Sequence, residues 1–588
     1  MQKELYFVST QIEINFNKNK KKILAGNWCT SNSSKSESLG KQKVIKDIWN
    51  NKNERGRDYK YLQKITKRYS SGLTTYLNSL HGVNFSGNFW KPIFLAWLTI
   101  YLPSYFYRWK IIKNTLRQNG KLKFYDITNI NSNTSTKDTY EFHYNVSSNE
   151  YFNYKIFRKI NKFFEKKNKL KPIKKNLIHI EKNDSKKKNS FIYFKLQMII
   201  NSIFYYLLKF NRVFIEKNVF RVIDNIKLNI SLKQFPTYPN DTFHDPFGFR
   251  NFYDKKSIDL KKRNSIKISL GVEDDFTKFL ETSIRDDLPL CFIEGFNDLF
   301  QHAKKIKLKP KLVISSYNHH FNELFKVWIA HLREKKISKI FTVSHGGGGF
   351  LKYPACLKFE REISDKKINW HYSNNINELQ LPASKFLTKK KNHSSNEFIS
   401  YIEGPTTKFP SRIGYGIINN GNRNLQKTFI DFYKMIDKNL KKEIIFLPKK
   451  EYNIDTTKFL SNSFPEDQIK ENNSFNKYNK KSKLNIISYP ETTFNESIIS
   501  KPTILLYEKG RWEFDERFKN IYKKLLKNKM LFHDPKKAAK HINIVSKNIN
   551  KWWKKKSVQS VVDEISKKIC MTSIDSTDIW LKEIKKNY

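Results

Sequence analysis

From about Leu288 onward, short apolar runs rich in β-branched residues alternate with stretches of helical period. Leu312 to Ser315 predicts a strand, Asn322 to Lys335 a helix, and Ile340 to Val343 a second strand that runs into glycines. This is the βαβ pattern of a parallel sheet. After a polar break near Thr388 to Asn396 the alternation resumes. Phe398–Ile402, Ile444–Leu447, Leu484–Ile487 and Thr503–Tyr507 predict strands, and Leu425–Lys438 and Phe494–Ser500 predict helices. Two α/β units therefore flank a break near residue 390. Asp534 before Pro535 supplies an N-cap and a first-turn proline for a helix through His541 and Val545, and the helical pattern continues past Trp552 and Trp553 to Ile569.

The first half reads differently. Its most hydrophobic window, Phe89 to Tyr107, is bounded by Lys91 and Arg108 and contains Pro92 and Pro103. The apolar run between those charges is short for the roughly 20 residues of a membrane span, so a buried helix is expected. Phe191 to Phe210 carries Lys195, Asn201 and Lys209 and predicts an amphipathic helix, while residues 130 to 190, rich in Asn, Ser and Lys, predict a loop-rich insertion. Met1 to Phe16 mixes Lys3, Glu4, Gln11 and Glu13 among apolar residues and lacks the continuous stretch of a secretory signal.

Composition narrows the class. A length of 588 residues allows two to four domains, and 39% hydrophobic with 15% aromatic residues is enough for a large core. Cys29, Cys291, Cys356 and Cys570 form no C-x-x-C pair, which excludes a zinc ribbon, a ferredoxin-type cluster and a disulfide framework and fits a reducing cytoplasm. Lys plus Arg number 111 against 55 acidic residues, a formal charge of +56. The excess is mostly Lys spread along the whole chain, with little of the Arg that makes specific phosphate and base forks. A solvated basic surface, with weak attraction to anionic lipid or to negatively charged substrates, is the simpler reading.

The sharpest chemical signal is Ser344-His345-Gly346-Gly347-Gly348-Gly349, directly after the strand ending at Val343. Glycines let successive backbone N–H groups converge on an anion, and the His345 imidazole beside them can accept a proton from a hydroxyl. The oxyanion loop of an α/β-hydrolase uses similar residues, but no Gly-x-Ser-x-Gly elbow exists here. Downstream, Glu360, Glu362 and Asp365 fit a charged helix with a Glu362–Lys366 pair, and Glu360 and Asp365 stay as further catalytic candidates. Thr493 and Glu496 fit a capping box, and the start of that helix also suits a nucleotide phosphate held by Thr492 or Thr493, with Glu496 accepting from sugar hydroxyls. Arg412, Lys449 and Lys450 follow two of the predicted strands and are placed to neutralise a diphosphate. His319-His320 with Glu323 is set aside as a metal cluster, because adjacent side chains point in different directions. No Asp-x-Asp, Walker or Gly-x-Gly-x-x-Gly motif is present.

Taken in order, these residues form a set. Gly26-Asn27-Trp28-Cys29, Leu77-Asn78 with His81, Phe89-Trp90, Trp97-Leu98 and Arg108 come first. Leu288-Pro289, Glu294-Gly295, His345 to Gly348, Glu360, Ser364-Asp365 and Trp370 follow. Thr492-Thr493, Glu496, Lys501-Pro502-Thr503, Phe532, Asp534-Pro535, Trp552-Trp553 and Val558-Gln559 close the series. The chain resembles the transferases encoded in O-antigen and other surface-polysaccharide clusters, which look like inverting glycosyltransferases of the GT-B type. The likeness spans nearly the whole chain. It departs at Lys449 and Lys450, where arginine is expected and lysine cannot form the bidentate fork, and at Ser344, where a glutamine or similar residue is usual.

The resemblance implies an α/β architecture of two Rossmann-like domains facing a cleft, with a mostly helical N-terminal part. Residues 1–389 would form the acceptor side, 390–550 the nucleotide-donor domain, and 551–588 a helical tail packing back on the first domain. His345 would be the general base or would position the acceptor hydroxyl, and the amides of Gly346, Gly347 and Gly348 would steady developing charge. Thr492, Thr493 and Glu496 would hold the donor, with Lys449 and Arg412 balancing its diphosphate. The implied partners are a nucleotide-sugar donor, a glycan or lipid-linked acceptor and the anionic inner face of the cytoplasmic membrane, with no specific nucleic acid, metal or other cofactor. Two alternatives stay open: a CDP-polyol phosphotransferase of the same fold, and a noncatalytic protein binding nucleic acid or anionic membrane, which leaves the glycine run unexplained.

Overall fold

The computed structural model describes residues 4–30, 42–177, 207–235, 256–354, 357–387, 397–404, 407–414, 421–449, 460, 463–470 and 475–588. Among these residues, three five-stranded sheets, parallel throughout, follow one another along the chain. The first contains β1 (Leu5–Val8), β2 (Lys21–Leu24), β3 (Lys43–Val44), β4 (Leu122–Ile127) and β5 (Leu170–Lys175), in the order β3-β2-β1-β4-β5. The second contains β6 (Val213–Ile215), β7 (Leu312–Ser315), β8 (Lys339–Val343), β9 (Lys366–Asn369) and β10 (Glu378–Gln380), in the order β10-β9-β8-β7-β6. The third contains β11 (Phe398–Ile402), β12 (Ile444–Leu447), β13 (Ser482–Ile487), β14 (Thr503–Leu506) and β15 (Leu531–Phe532), in the order β12-β11-β13-β14-β15. The α/β class follows from these orders; the first and third sheets reverse their winding as Rossmann-like sheets do, whereas the second runs in chain order without a reversal.

The N-terminal part thus adds a complete sheet to the expected helices. Its strands are short or charged: β3 is only Lys43-Val44, and β5 reads LKPIKK. Such segments give little period-two signal. Two long helices, α1 (Lys52–His81) and α2 (Gly87–Asn119), connect β3 to β4. The apolar window beginning at Phe89 lies in α2, where Trp90, Trp97, Tyr101 and Leu102 are fully buried in the largest core cluster. No described helix is long and apolar enough to cross a membrane.

Three further expectations change. Residues 139–148 and 150–165 are helices and 170–175 a strand, so the described part of the expected insertion is ordered. On the second helix Phe152, Ile156, Phe157, Ile160 and Phe164 face the core, joined there by the buried Asn153 and Asn161. The segment from Phe359 to Trp370 is not one helix. A helix ends at Glu362 and β9 begins at Lys366, so the helical Glu362–Lys366 pair does not form. The helix expected over Phe494–Ser500 is Thr492–Ile498, with Glu491 at its N-cap, so Thr493 lies inside the first turn and no capping box with Glu496 forms. The predicted Phe191–Phe210 helix falls almost wholly outside the described residues, as do Lys450 and the break at 388–396.

The cap expected at Asp534 forms, and Asn322 serves as a second one. Asn322 accepts from the Phe325 N–H at the start of Glu323–Glu334, and Asp534 accepts from the Lys536 and Lys537 N–H groups ahead of Pro535–Val545. The last helix, Ser576–Lys585, returns to the second sheet: Trp580 donates to the Pro382 carbonyl at 2.8 Å and its ring meets Phe220 edge-on.

Arg108 and the glycine run are among the contacts that tie the units together. Arg108, 1% exposed on α2, donates to the carbonyls of Ser104, Val146 and Pro410 and to Asn153 Oδ1. Pro410 belongs to the segment after β11, whose Lys408 and Phe409 N–H groups both donate to the Ser147 carbonyl. One buried cation thus joins α2, the helix ending at Ser148 and the third unit. The second contact is the glycine run. Gly347 N–H donates to Thr492 Oγ1 at 3.0 Å, and Asn495 Nδ2 donates to the Gly347 carbonyl at 3.1 Å. A Cβ on Gly347 would stand 1.8 Å from Asn495 Nδ2, and one on Gly349 would stand 2.3 Å from the buried His371 ring. At Gly346 and Gly347 the backbone of one unit lies directly against the Thr492 and Asn495 side chains of the other, while Gly349 makes room for His371 of its own unit.

Three stability predictions follow from this packing. Arg108→Met strands four buried acceptors and should lower unfolding free energy by roughly 3 kcal/mol or more, read as a fall in the denaturant midpoint. Gly347→Ala should cost about 1–3 kcal/mol, because Asn495 must give up its bond to make room. A midpoint equal to wild type would contradict either contact. Burial holds His81 and His541 down to about 4 and His371 down to about 3, so all three are neutral when folded. Between pH 6.5 and 4 the unfolded chain binds protons that the folded chain does not, so stability rises with pH there. The denaturant midpoint should fall as pH drops below about 6.5, by up to about 1.4 kcal/mol per unit for each histidine.

Candidate functional site

In parallel sheets the loops at the carboxyl ends of strands converge on ligands. At the second sheet that edge is built around two buried carboxylates. Glu216, just after β6, accepts at Oε2 from the N–H groups of Ser316, Tyr317 and Asn318 at 2.9, 3.1 and 3.1 Å and from Ser315 Oγ at 2.5 Å. It thereby fixes the turn after β7 and the short helix Asn318–Phe321.

That turn carries His319 and His320. Their Nε2 atoms lie 3.3 and 3.0 Å from the same oxygen, Glu360 Oε1, and Lys367 Nζ on β9 lies 2.7 Å from Glu360 Oε2. His319, His320, Glu360 and Lys367 are all buried. The expectation that adjacent histidines diverge is therefore corrected. Their backbone directions differ on the helical turn, but the rings, with centroids 4.3 Å apart, swing onto one carboxylate. Burial alone would raise the Glu360 carboxyl. Lys367, then the two histidines, overcome it and hold the group well below its usual range. Burial also lowers His319, against the pull of Glu360.

His345 follows β8 with an exposed ring, 5.1 Å centroid to centroid from Tyr317. The crowded surroundings, then Lys385, hold its imidazole below the usual histidine range, so it is neutral at physiological pH. The glycines beside it do not form an open anion cradle. Gly347 spends its N–H on Thr492, and the Glu491 side chain lies over Gly348. Asp365 is at the other end of the sheet: its Oδ2 accepts from the Ile340 N–H at the start of β8, with Arg333 3.8 Å away. Its role is to tie two strand starts, and the catalytic expectation for it does not fit its position. Glu360 is buried beneath the edge, where it positions its neighbours.

The third sheet reverses winding between β11 and β13, a topological switch point. Its carboxyl ends present Glu403, Gly404, Ser488 and Tyr489. Gly404 N–H donates to Ser488 Oγ at 2.9 Å, a Cβ on Gly404 would press on the Tyr489 ring, and Tyr489 OH is bonded to Thr493 Oγ1. Sequence reasoning passed over these residues, although glycine and proline punctuate both strand ends at Gly404-Pro405 and Tyr489-Pro490. Thr492, Thr493 and the half-buried Glu496 flank this crevice on one helix, and the half-buried Lys449 follows β12. Arg412 does not join them. Its loop is folded onto the N-terminal helices, where Arg412 lines a small cavity with Tyr59, Leu95, Thr99 and Phe359. Burial, and then Arg412, depress His143, whose ring stacks 5.3 Å from Phe321 beside His320. Arg412 belongs to the second-sheet side.

The structure thus brings the carboxyl edges of the second and third sheets together, with His345 to Gly349 on one side and Thr492 and Asn495 on the other. Among known proteins, no curated one matches the chain. MnaA of S. aureus, solved with UDP, is 10% identical at a TM-score of 0.34, covering 63% of this chain and 94% of its own. A protein assigned as a UDP-N-acetylglucosamine 2-epimerase from Listeria monocytogenes is 11% identical at 0.34, covering 53% and 86%. Likenesses this distant say nothing about ligands. The family described as LIC12162 family transferase matches residues 5–584, and the chain therefore belongs to that family of transferases.

Proposed function

We propose that this transferase moves a sugar from a nucleotide-activated donor to a surface-polysaccharide acceptor of the O-antigen or capsule type. The observation that carries the reading is the juncture itself. A switch-point crevice with hydroxyls at Ser488, Tyr489, Thr492 and Thr493 abuts, through Gly347, the edge that displays a neutral, exposed histidine. On this reading the third unit holds the donor through Thr492, Thr493, Glu496 and Lys449, and the second presents the acceptor to His345. A hydroxyl that accepts the Gly347 N–H keeps its own proton, so Thr492 can still donate to a phosphate oxygen.

His345 would take the acceptor's proton as its oxygen attacks the anomeric carbon and the nucleotide diphosphate leaves. Its imidazolium is disfavoured in the empty site, and a diphosphate beside it would stabilise the charged form and raise its basicity. Lys385, which already acts on His345, supplies a cation on the same side. Arg412 would serve the acceptor side. The basic surface would favour work against the anionic inner face of the cytoplasmic membrane, where a lipid-linked acceptor is presented.

Calorimetry with UDP-, GDP-, CDP-, dTDP- and CMP-activated donors tests this. One donor class should bind, with Glu496→Ala or Thr493→Val weakening it at least about tenfold. His345→Ala should keep that affinity while losing about 10² to 10⁴ in kcat. Binding confined to CDP-polyols would move the chemistry to phosphotransfer. A silent panel, with vesicles or duplex bound equally by all variants and released by salt, would overturn the transferase site.

A further inference from the structure

The ring nitrogens of His319 can be assigned by counting protons. Glu216 Oε2 already accepts three backbone N–H groups, so it carries no proton, and Ser315 Oγ must donate its single hydrogen to it. Ser315 Oγ lies 2.8 Å from His319 Nδ1 and can only accept there. Nδ1 of His319 is therefore the protonated nitrogen, and a neutral ring turns its Nε2 lone pair toward Glu360 Oε1 at 3.3 Å. Two electron pairs then face each other in a buried site, with His320 Nε2 3.0 Å from the same oxygen.

We propose that a divalent cation of the zinc type binds between His319 Nε2, His320 Nε2 and Glu360 Oε1. The three ligand atoms lie within 4.8 Å of one another. The two separations from Glu360, 3.3 and 3.0 Å, match the edge of roughly 3.3 Å that a tetrahedron with bonds of about 2.05 Å requires. Two imidazoles and one carboxylate are a borderline donor set suited to zinc or cobalt, and they leave a fourth position open. The surroundings are those of a metal ligand shell. The Nδ1–H of His319 is held by Ser315 and, behind it, Glu216, an orienting relay of the kind that fixes tautomers in metal sites. Lys367 occupies the other carboxylate oxygen, so Glu360 would bind through Oε1 alone. The site does not rest on the proposed transfer reaction. It would lock the turn after β7 beneath the reacting edge.

The test uses the full chain stripped with a chelator and titrated with Co²⁺. One equivalent should bind and give visible ligand-field bands of a tetrahedral site, and Zn²⁺ should displace it. His320→Ala and Glu360→Gln should abolish the bands. Ser315→Ala, which removes only the orienting bond, should weaken Co²⁺ about 10- to 100-fold. His302→Ala, on a separate helix, should leave uptake unchanged. Wild-type protein that takes up no Co²⁺ or Zn²⁺ would overturn the site, as would bands that persist in His320→Ala.

Discussion

Two carboxylates without access to water organise the edge on which everything else in this molecule turns. Glu216 and Glu360 are 0% and 3% exposed, and a buried charge survives only when its neighbours satisfy it. Glu216 gathers three backbone N–H groups and a hydroxyl, which dictates the path of the chain after β7. Glu360 gathers two imidazoles and an ammonium, while its backbone carbonyl accepts from Thr342 on β8 and from Ser364. Strands β7, β8 and β9 are thereby fixed at one end by groups that cannot relax into water. Removing one partner leaves a charge uncompensated, so the arrangement constrains geometry more than it adds net stability.

The rigid edge gives the glycine run its meaning. From sequence, four glycines after a strand suggest amides aimed at an anion. In the fold they let the backbone of β8's loop come within hydrogen-bonding distance of the Thr492 and Asn495 side chains on the helix Thr492–Ile498. The same juncture is bridged by pairing of Leu351 with Phe514 and, from the N-terminal unit, by the ion pair of Arg55 with Glu513. The contact leaves Thr492 with one bond made and one to give. A packing role and, on the proposed reading, a ligand role therefore coexist on one hydroxyl, and the Gly347 N–H that the sequence pattern offers to an anion is spent on Thr492.

What was legible in the chain was local. Strands β7, β8, β11, β12, β13 and β14, the helix beginning near Asn322, the cap and proline at Asp534-Pro535 and the buried character of α2 all show in periodicity or in turn chemistry. The candidates that moved did so because their partners are distant in sequence. Glu360 meets His319 and His320 across about forty residues, and Arg412 is carried to the N-terminal helices by a loop held to Ser147. Asp365 looked catalytic beside Ser364, but a turn before a strand lies at the amino end, one strand length from the chemistry. Within the first sheet β3 and β5 escaped because strands rich in lysine, or only two residues long, carry no period to read.

The depressed basicity of His345 has a consequence for the order of events on the proposed reading. A base held neutral by crowding and by Lys385 is a poor proton acceptor in the empty site. Only a dianionic leaving group placed beside it makes the imidazolium affordable. Acceptor activation then depends on the donor being present, and a water molecule reaching His345 alone meets a weak base. The fixed edge beneath it matters for the same reason, since a ring that must sense a diphosphate across the juncture has to stay within a few ångströms of it. The buried carboxylates, the glycine contact and the neutral histidine are in this sense one device, in which rigidity on the second sheet makes reactivity conditional on what the third sheet holds.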